Sequence, residues 1–467
     1  MTQSIPREFD RGIFRDCSII FTALVVAYCN SLWGVYQLDD FSVIVSNNAV
    51  HSWAAWLHKT TNGGIRPVLN FSYMLNWTSG MGTVGFHLIN NLIHFVTTLL
   101  VYVLSSFFVE ACSCNNCEIK HKKLVPLFTA LLFAVHPVQT EAVTYLSGRS
   151  SSLMTMLYLA SVLAYLQGVK SGVLKWTYLV SPILFVTAVA SKEVAISLPF
   201  VLLAWARVVQ QSSWKLIFRR QVIHWLLFLT VFGLILTHPR YAQLLLYSFK
   251  IRSFHDTVIA QINGITYLMG QLVHIGSMNI DPDVSRFTTS SGVGFYASLC
   301  VWGAAVIIAV RQSKQQPWFL FAVLWFAVAL FPSNSLVPRT DIINERHVYL
   351  ASPGIFLCCV IVLLNLKLAE LNAVLLGGIV CLLAGFTLYR NADYQSEIRL
   401  WEQTARLSPA KSRVFNNLGC AYEIAGQYGK AEATYTKAVN LQASNKIAAD
   451  NLQRLNTRLQ RMDTTIK

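Results

Sequence analysis

Five groups of polar residues interrupt an otherwise apolar chain, and their types suit chemistry on an anionic substrate. Asp39 and Asp40 follow the first apolar run. Adjacent carboxylates there fit a general base, a metal ligand or a helix cap. Arg66, in Gly63-Gly64-Ile65-Arg66-Pro67-Val68, fits a phosphate clamp or an ordinary interfacial anchor. Gly85-Phe86-His87-Leu88-Ile89-Asn90 follows it. A third group runs from His136 through Glu141 to Val143 and on to Ser147-Gly148-Arg149-Ser150, where Glu141 and Arg149 either pair with each other or take part in chemistry. Ser191-Lys192-Glu193 leaves almost no loop between two apolar runs, so its charges sit near a membrane surface or snorkel to it. Asn344-Glu345-Arg346-His347-Val348-Tyr349-Leu350 opens another run. Arg346 there either holds an anion or anchors a helix end. Ionisable side chains at membrane depth are costly, which makes such groups candidates for function.

The elements that position them are read from composition. Of 467 residues, 54% are hydrophobic and 13% charged, against roughly 25% charged in an average soluble protein. That excludes a disordered chain and an ordinary water-soluble enzyme. The mean hydropathy of +0.48 points to an all-α, polytopic membrane protein. Eleven spans are expected, near 17–35, 87–108, 124–136, 152–168, 174–190, 194–210, 222–237, 293–310, 317–331, 348–366 and 372–389. The stretch 258–278 contains Gln261, Asn263, Gln271 and His274, and reads as interfacial or re-entrant. The net charge of +15 sorts by position. With the N-terminus in the cytoplasm, eleven spans keep the Lys/Arg-rich loops inside and put all five polar groups, and the C-terminus, outside. The basic run before the first span has no small-residue cleavage site after it, so it reads as a membrane helix rather than a removable signal.

Six of the ten cysteines lie in or near spans. Cys112, Cys114 and Cys117 with His121 admit a metal site, but the spacing fits no standard zinc pattern. A reduced or lipidated cytoplasmic loop is the plainer reading. Cys420 has no obvious partner, and no disulfide framework is expected. After Arg390 the apolar runs stop, dividing the chain into a membrane domain, 1–390, and an external helical domain, 391–467. Phe415-x2-Leu418-Gly419-x2-Tyr422, then Ala431-x3-Tyr435 and Ala438, fit a tetratricopeptide repeat over 412–445. A half-repeat at 395–409 precedes it and a capping helix at 446–461 follows. No Gly-rich phosphate loop or dinucleotide fingerprint is present, which disfavours a soluble nucleotide-sugar donor.

The ordered set of Asp39-Asp40, Gly64-x-Arg66-Pro67-Val68, Gly85–Asn90, His136–Val143 with Ser147-Gly148-Arg149, Ser191-Lys192-Glu193 and Glu345–Leu350 resembles the transmembrane and tetratricopeptide-repeat O-mannosyltransferase family. That family belongs to the GT-C class of polyprenyl-phosphate-sugar glycosyltransferases. The resemblance runs from Leu38 to about Leu455. There are two departures. The repeat array is short, and His347 and Val348 stand before Tyr349 where the family pattern usually has a Tyr after Glu-Arg. The short array points to a prokaryotic relative, in a bacterial inner membrane with a periplasmic site, rather than the endoplasmic reticulum.

The resemblance implies transfer of one sugar, mannose or another hexose, from a polyprenyl-phosphate donor to a Ser/Thr hydroxyl of an exported protein, with inversion. Asp39 or Asp40 is then the base, Asp39 being favoured as the first of the pair. Arg66, Arg149, Lys192 and Arg346 are the candidates for the donor phosphate. His136, Glu141, Glu193 and Glu345 are supporting polar residues. No particular cofactor is implied, and the lipid-linked sugar is a substrate. A divalent ion on Asp39 and Asp40 has only one carboxylate pair to hold it. The lipid tail is expected in a groove capped by 41–60 and 258–278. The implied partners are membrane lipids and an acceptor protein recruited by the repeat, not nucleic acid. The competing readings are an envelope scaffold, a transporter, and a transferase acting on a glycolipid.

Overall fold

The computed structural model describes residues 7–114, 119, 121–283, 293–335, 337, 341–366 and 371–466, and every regular element among them is helical. α1 (Arg7–Tyr28) leads to the loop with Asp39 and Asp40. Two short helices, α2 (Trp53–Thr61) and α3 (Pro67–Thr78), precede the long α4 (Gly82–Cys114). After α5 (Leu124–Val135) the chain bends by 55° into a segment that ends in α6 (Thr140–Val143). Then come α7 (Arg149–Ser171), α8 (Ser181–Ser191), α9 (Leu198–Ala204), α10 (Trp214–Thr237), α11 (Pro239–Ile251) and α12 (Phe254–Gln271). The apolar series closes with α13 (Val293–Gln312), α14 (Pro317–Leu330), α15 (Val348–Asn365) and α16 (Leu371–Asn391). Four polar helices follow: α17 (Glu397–Leu407), α18 (Ser412–Ile424), α19 (Tyr428–Leu441) and α20 (Lys446–Ile466).

Among the described residues, seven helices are long and apolar enough to cross a membrane, or eight if the bent pair around His136 is one span. Eleven were expected, and the difference lies in the shorter or interrupted apolar runs and the bent pair. The expected spans at 174–190 and 317–331 are shorter apolar helices, Trp176–Ser191 and Pro317–Leu330. The one at 194–210 is divided into a 3-10 turn, α9 and a π turn. The physical reason is plain at Lys192 and Glu193, whose charges break one apolar run into two short ones. A 14-residue helix such as α14 rises only ~21 Å, short of a ~30 Å hydrocarbon core. The 258–278 stretch is not among the spans. Its helix α12 buries Gln261, which accepts from Asn334 Nδ2 at 3.1 Å, and packs Gly264 on Ile343.

α5 forms the centre: all its residues from Val125 to Val135 are buried, packed by α1, α4, α15 and α16. α10 and α13 lie outermost, with only 11% of each apolar window covered by protein. Two prolines shape the interior. Pro137 has no N–H to continue α5, and His136 caps the break by accepting from Val138 N–H at 3.1 Å. Pro353 leaves the Tyr349 carbonyl without its helical donor, and the Ser352 hydroxyl donates to that carbonyl at 3.3 Å.

The C-terminal helices sit where the repeat pattern places them, with α18 and α19 forming a hairpin. A Cβ at Gly419 would lie 2.6 Å from the Tyr435 ring, so only glycine allows this approach. The hairpin is tied to the membrane part by Asp281. Its carboxylate accepts from Lys411 Nζ at 2.5 Å and from Arg413 Nε at 2.9 Å, while Arg413 also reaches Asp341 at 2.7 Å. Cys114's side chain and Cys117, two members of the cysteine cluster, lie outside the described residues.

Gly419→Ala forces the Tyr435 ring to move and should destabilise by about 1–3 kcal/mol. Gly429→Ala has nothing within 4 Å and should be neutral or slightly stabilising. Thermal unfolding of the solubilised protein, followed by proteolysis of α17–α20, distinguishes the two.

Candidate functional site

The loop after α1 is built around a buried carboxylate. Asp40 Oδ1 accepts from the Ser147 N–H at 2.7 Å and from the Ser147 hydroxyl, and Oδ2 accepts from the Gln37 N–H at 2.9 Å. Burial raises its pKa to about 7, against the opposing pull of the Ser147 and Gln37 hydrogen bonds. Leu38, one residue before the pair, has φ 46°, a left-handed backbone uncommon for leucine. The Asp39 N–H then donates to the Tyr145 hydroxyl at 2.9 Å. The outcome is a division between neighbours: Asp40 is turned inward, and Asp39 is exposed.

Asp39 faces a cavity of about 560 Å³. Its polar end also carries Arg66, Lys192, Glu193, Asp341 and Arg346. Arg66 and Glu193 form a two-pronged pair, Nε–Oε2 at 3.0 Å and Nη2–Oε1 at 2.6 Å. Burial alone would raise Glu193, but the Arg66 charge and hydrogen bonds outweigh it and hold it at about 2. Arg66 has φ 54° and starts α3, whose first helical residue is Pro67. Lys192 Nζ donates to Ser151 Oγ at 2.8 Å. Arg346 donates its backbone N–H to Glu141 Oε2 at 2.9 Å, and its Nε stands 3.6 Å from Oε1.

Two expected placements are corrected. Arg149 does not reach the cavity. It is fully buried, donating to Asn90 Oδ1 at 2.6 Å, the Phe86 carbonyl at 2.9 Å and the Ser72 carbonyl at 3.1 Å. Its guanidinium also lies over the rings of Tyr73 and Phe86, at 5.0 and 5.2 Å. Glu141, expected as a partner for Arg149, is Arg346's partner instead. The reason is Gly148: a Cβ there would meet the Glu141 carbonyl and lie 3.0 Å from the Ala142 backbone. The chain turns so tightly that the two side chains diverge.

The remaining supporting residues hold the frame. His136 Nε2 contacts the Leu272 carbonyl at 3.1 Å, fixing the bend rather than lining the cavity. Glu345 accepts from the Asn279 N–H at 2.5 Å and lies 3.9 Å from Arg390. Among the described residues no group of three or more His, Cys, Asp or Glu is placed to hold a metal ion.

The opposite wall is apolar and comes from α10 and α11, through Ile235, Leu236, Tyr241, Leu244 and Tyr247. This corrects the expected groove. Val43 from the 41–60 segment contributes, but nothing from 258–278 does, because α12 is covered by the loop holding Asn334 and Ile343. Sequence reasoning passed over α11. The signal was there: Tyr241, Leu244 and Ser248 recur at helical spacing directly after Pro239.

Comparison with known proteins gives a consistent set of relatives. The chain is 24% identical to a protein O-mannosyl-transferase of Caenorhabditis elegans over 94% of its own length and 64% of that protein. It is 24% identical to protein O-mannosyl-transferase TMTC3 of Mus musculus over 96% of its length and 53% of that protein. A shorter match, 32% of the chain, is 31% identical to protein O-mannosyl-transferase TMTC1 of Mus musculus and covers 16% of it. The chain thus spans between half and two-thirds of the relatives that it matches end to end. No family model and no solved structure matches it.

Asp40→Asn places an amide N–H₂ against at least one backbone donor and should cost about 1–3 kcal/mol. The sign of the pH effect follows from the raised value. Between 3.8 and about 7 the folded state keeps a proton that the unfolded state has lost. Asp40 therefore makes stability fall as pH rises through that window, and the variant should flatten the slope. Arg149→Met removes three hydrogen bonds and leaves the buried Asn90 carboxamide oxygen without this donor, and should cost about 3 kcal/mol. Unfolding midpoints against pH check both.

Proposed function

The chain is a homologue of the protein O-mannosyl-transferases, and we propose that it shares their class of reaction. It moves a hexose, mannose by analogy with its relatives, from a polyprenyl-phosphate donor to a Ser or Thr hydroxyl of a protein. The reaction takes place on the non-cytoplasmic face of a membrane. The observation that carries this reading is one cavity with an exposed carboxylate, a cluster of cations and an apolar wall.

The phosphate of the donor lies among Lys192, Arg66 and Arg346. Arg66 has five N–H donors, of which Glu193 takes one on Nε and one on Nη2. The prenyl chain runs along Leu236, Leu244 and Tyr247. The acceptor oxygen attacks the anomeric carbon and forms the new C1–O bond. The bond from C1 to the phosphate oxygen breaks, and its electron pair leaves on the phosphate. The proton of the hydroxyl goes to Asp39, which acts as general base. Polyprenyl phosphate is already a good leaving group, so a general acid is not needed, and the growing phosphate charge is met by the fixed cations. Attack opposite the leaving group inverts the anomeric centre.

Asp39→Asn should insert normally and bind donor, but lose roughly 10²–10⁴-fold in transfer rate. Lys192→Met should raise the donor KM about 10–100-fold, the range of a charge-assisted hydrogen bond. The assay is purified full-length protein with polyprenyl-phosphate mannose and Ser/Thr peptides. Full transfer by the Asp39 variant would sink the assignment of the base, and a wild-type protein that never cleaves the donor would sink the enzyme reading.

A further inference from the structure

A second cavity, of about 230 Å³, lies where the C-terminal helices meet the membrane part. It shares Asp39, Asp341, Asn344 and Arg346 with the first. Asp39 therefore stands between two spaces. The second is closed from the far side by Trp401 of α17 and by Arg413 and Asn417 of α18.

The geometry points to this second cavity as the acceptor subsite, receiving a Ser or Thr side chain from an extended peptide, with Asn417 and Trp401 setting specificity. The inference rests on the transferase reading above. Three observations support it. An inverting displacement needs nucleophile and leaving group on opposite faces of the anomeric carbon. Two cavities meeting at the base provide those two faces. The second cavity is also smaller than the ~300–1,000 Å³ usual for whole small-molecule ligands. It suits the end of a side chain better than the headgroup of a glycolipid. Its outer wall offers peptide chemistry. The half-buried Asn417 carboxamide accepts from Asn416 Nδ2 at 3.2 Å and can offer its own N–H₂ to a peptide carbonyl, beside the largely buried Trp401 ring.

The wall is held in place. Arg413 bridges Asp281 and Asp341, Lys411 reaches both Asp281 and the Pro282 carbonyl, and Asn279 Nδ2 donates to Ser408 Oγ at 2.8 Å. Leu38, the strained residue before Asp39, packs against the same helices in the cluster with Trp401. The C-terminal helices thus form part of the site and are not only a tether near it.

The test uses full-length protein, polyprenyl-phosphate mannose and short extended Ser/Thr peptides. Asn417→Trp fills the second cavity. It should raise the peptide KM at least tenfold while the donor KM stays within twofold. On the wild-type protein, a peptide with a photoreactive residue beside its Ser should cross-link to Trp401, Asn417 or their helices, an outcome independent of how the variant folds. An unchanged peptide KM in the variant, or cross-links confined to α10 and α11, would overturn the acceptor assignment and leave the transferase reading standing. Transfer only to a glycolipid in vesicles, undisturbed by Asn417→Trp, would also overturn it. Wild-type protein that neither cleaves donor nor transfers sugar would overturn both.

Discussion

The site depends on one buried carboxylate. Asp40 gathers the Gln37 N–H and both donors of Ser147 around its two oxygens. That ties the loop after α1 to the start of α7, two places more than a hundred residues apart in sequence. The placement of Asp39 at the cavity goes with that tie. Leu38 is held in its left-handed conformation, Asp39 is pinned through its N–H to Tyr145, and Tyr145 in turn lies under the Arg346 guanidinium at 5.8 Å. A carboxylate in low dielectric must find donors or stay protonated, so the cost of burying Asp40 also fixes the loop geometry.

The same constraint organises the rest of the polar interior. Charges brought among apolar helices are matched across long sequence distances: Arg66 with Glu193, Arg346 with Glu141, and Arg390 with Glu345 at 3.9 Å. Arg149 is matched differently. It donates to carbonyl-type oxygens, and its face lies on two aromatic rings. A guanidinium suits this because it is weakly hydrated and its donors fan out in a plane. Such a residue stabilises the wall behind the cavity by joining α3, α4 and α7.

Much of this was legible in the sequence, and the parts that were not share a cause. Hydropathy located the long helices, and the pattern around Gly419 and Tyr435 located the C-terminal hairpin. The placement of polar groups at successive outer ends foretold that Asp39, Arg66, Lys192 and Arg346 would converge. Hydropathy failed where a charge is wholly buried, because it reads every arginine as surface-seeking. Nothing in the pattern therefore opposed the phosphate role that the family resemblance implied for Arg149. It failed again at α11, where Gln243 and Lys250 mask a helix whose other face lines the cavity. Partner choice was illegible for a different reason. Glu141 and Arg149 are near in sequence, but the close turn at Gly148 points them apart, and only the folded chain brings Arg346 to Glu141.

The thin coverage of α10 has its own consequence. One side of the cavity is bounded by α10 and α11, and α10 is almost bare of protein contacts outside. For a donor with a prenyl chain, the approach is then sideways, within the plane of the bilayer. Such a substrate is not counted in moles per litre. What sets the occupancy of the site is its mole fraction among the surrounding lipids. The same amount of donor would saturate the protein in a small vesicle and leave it idle in a large excess of inert lipid.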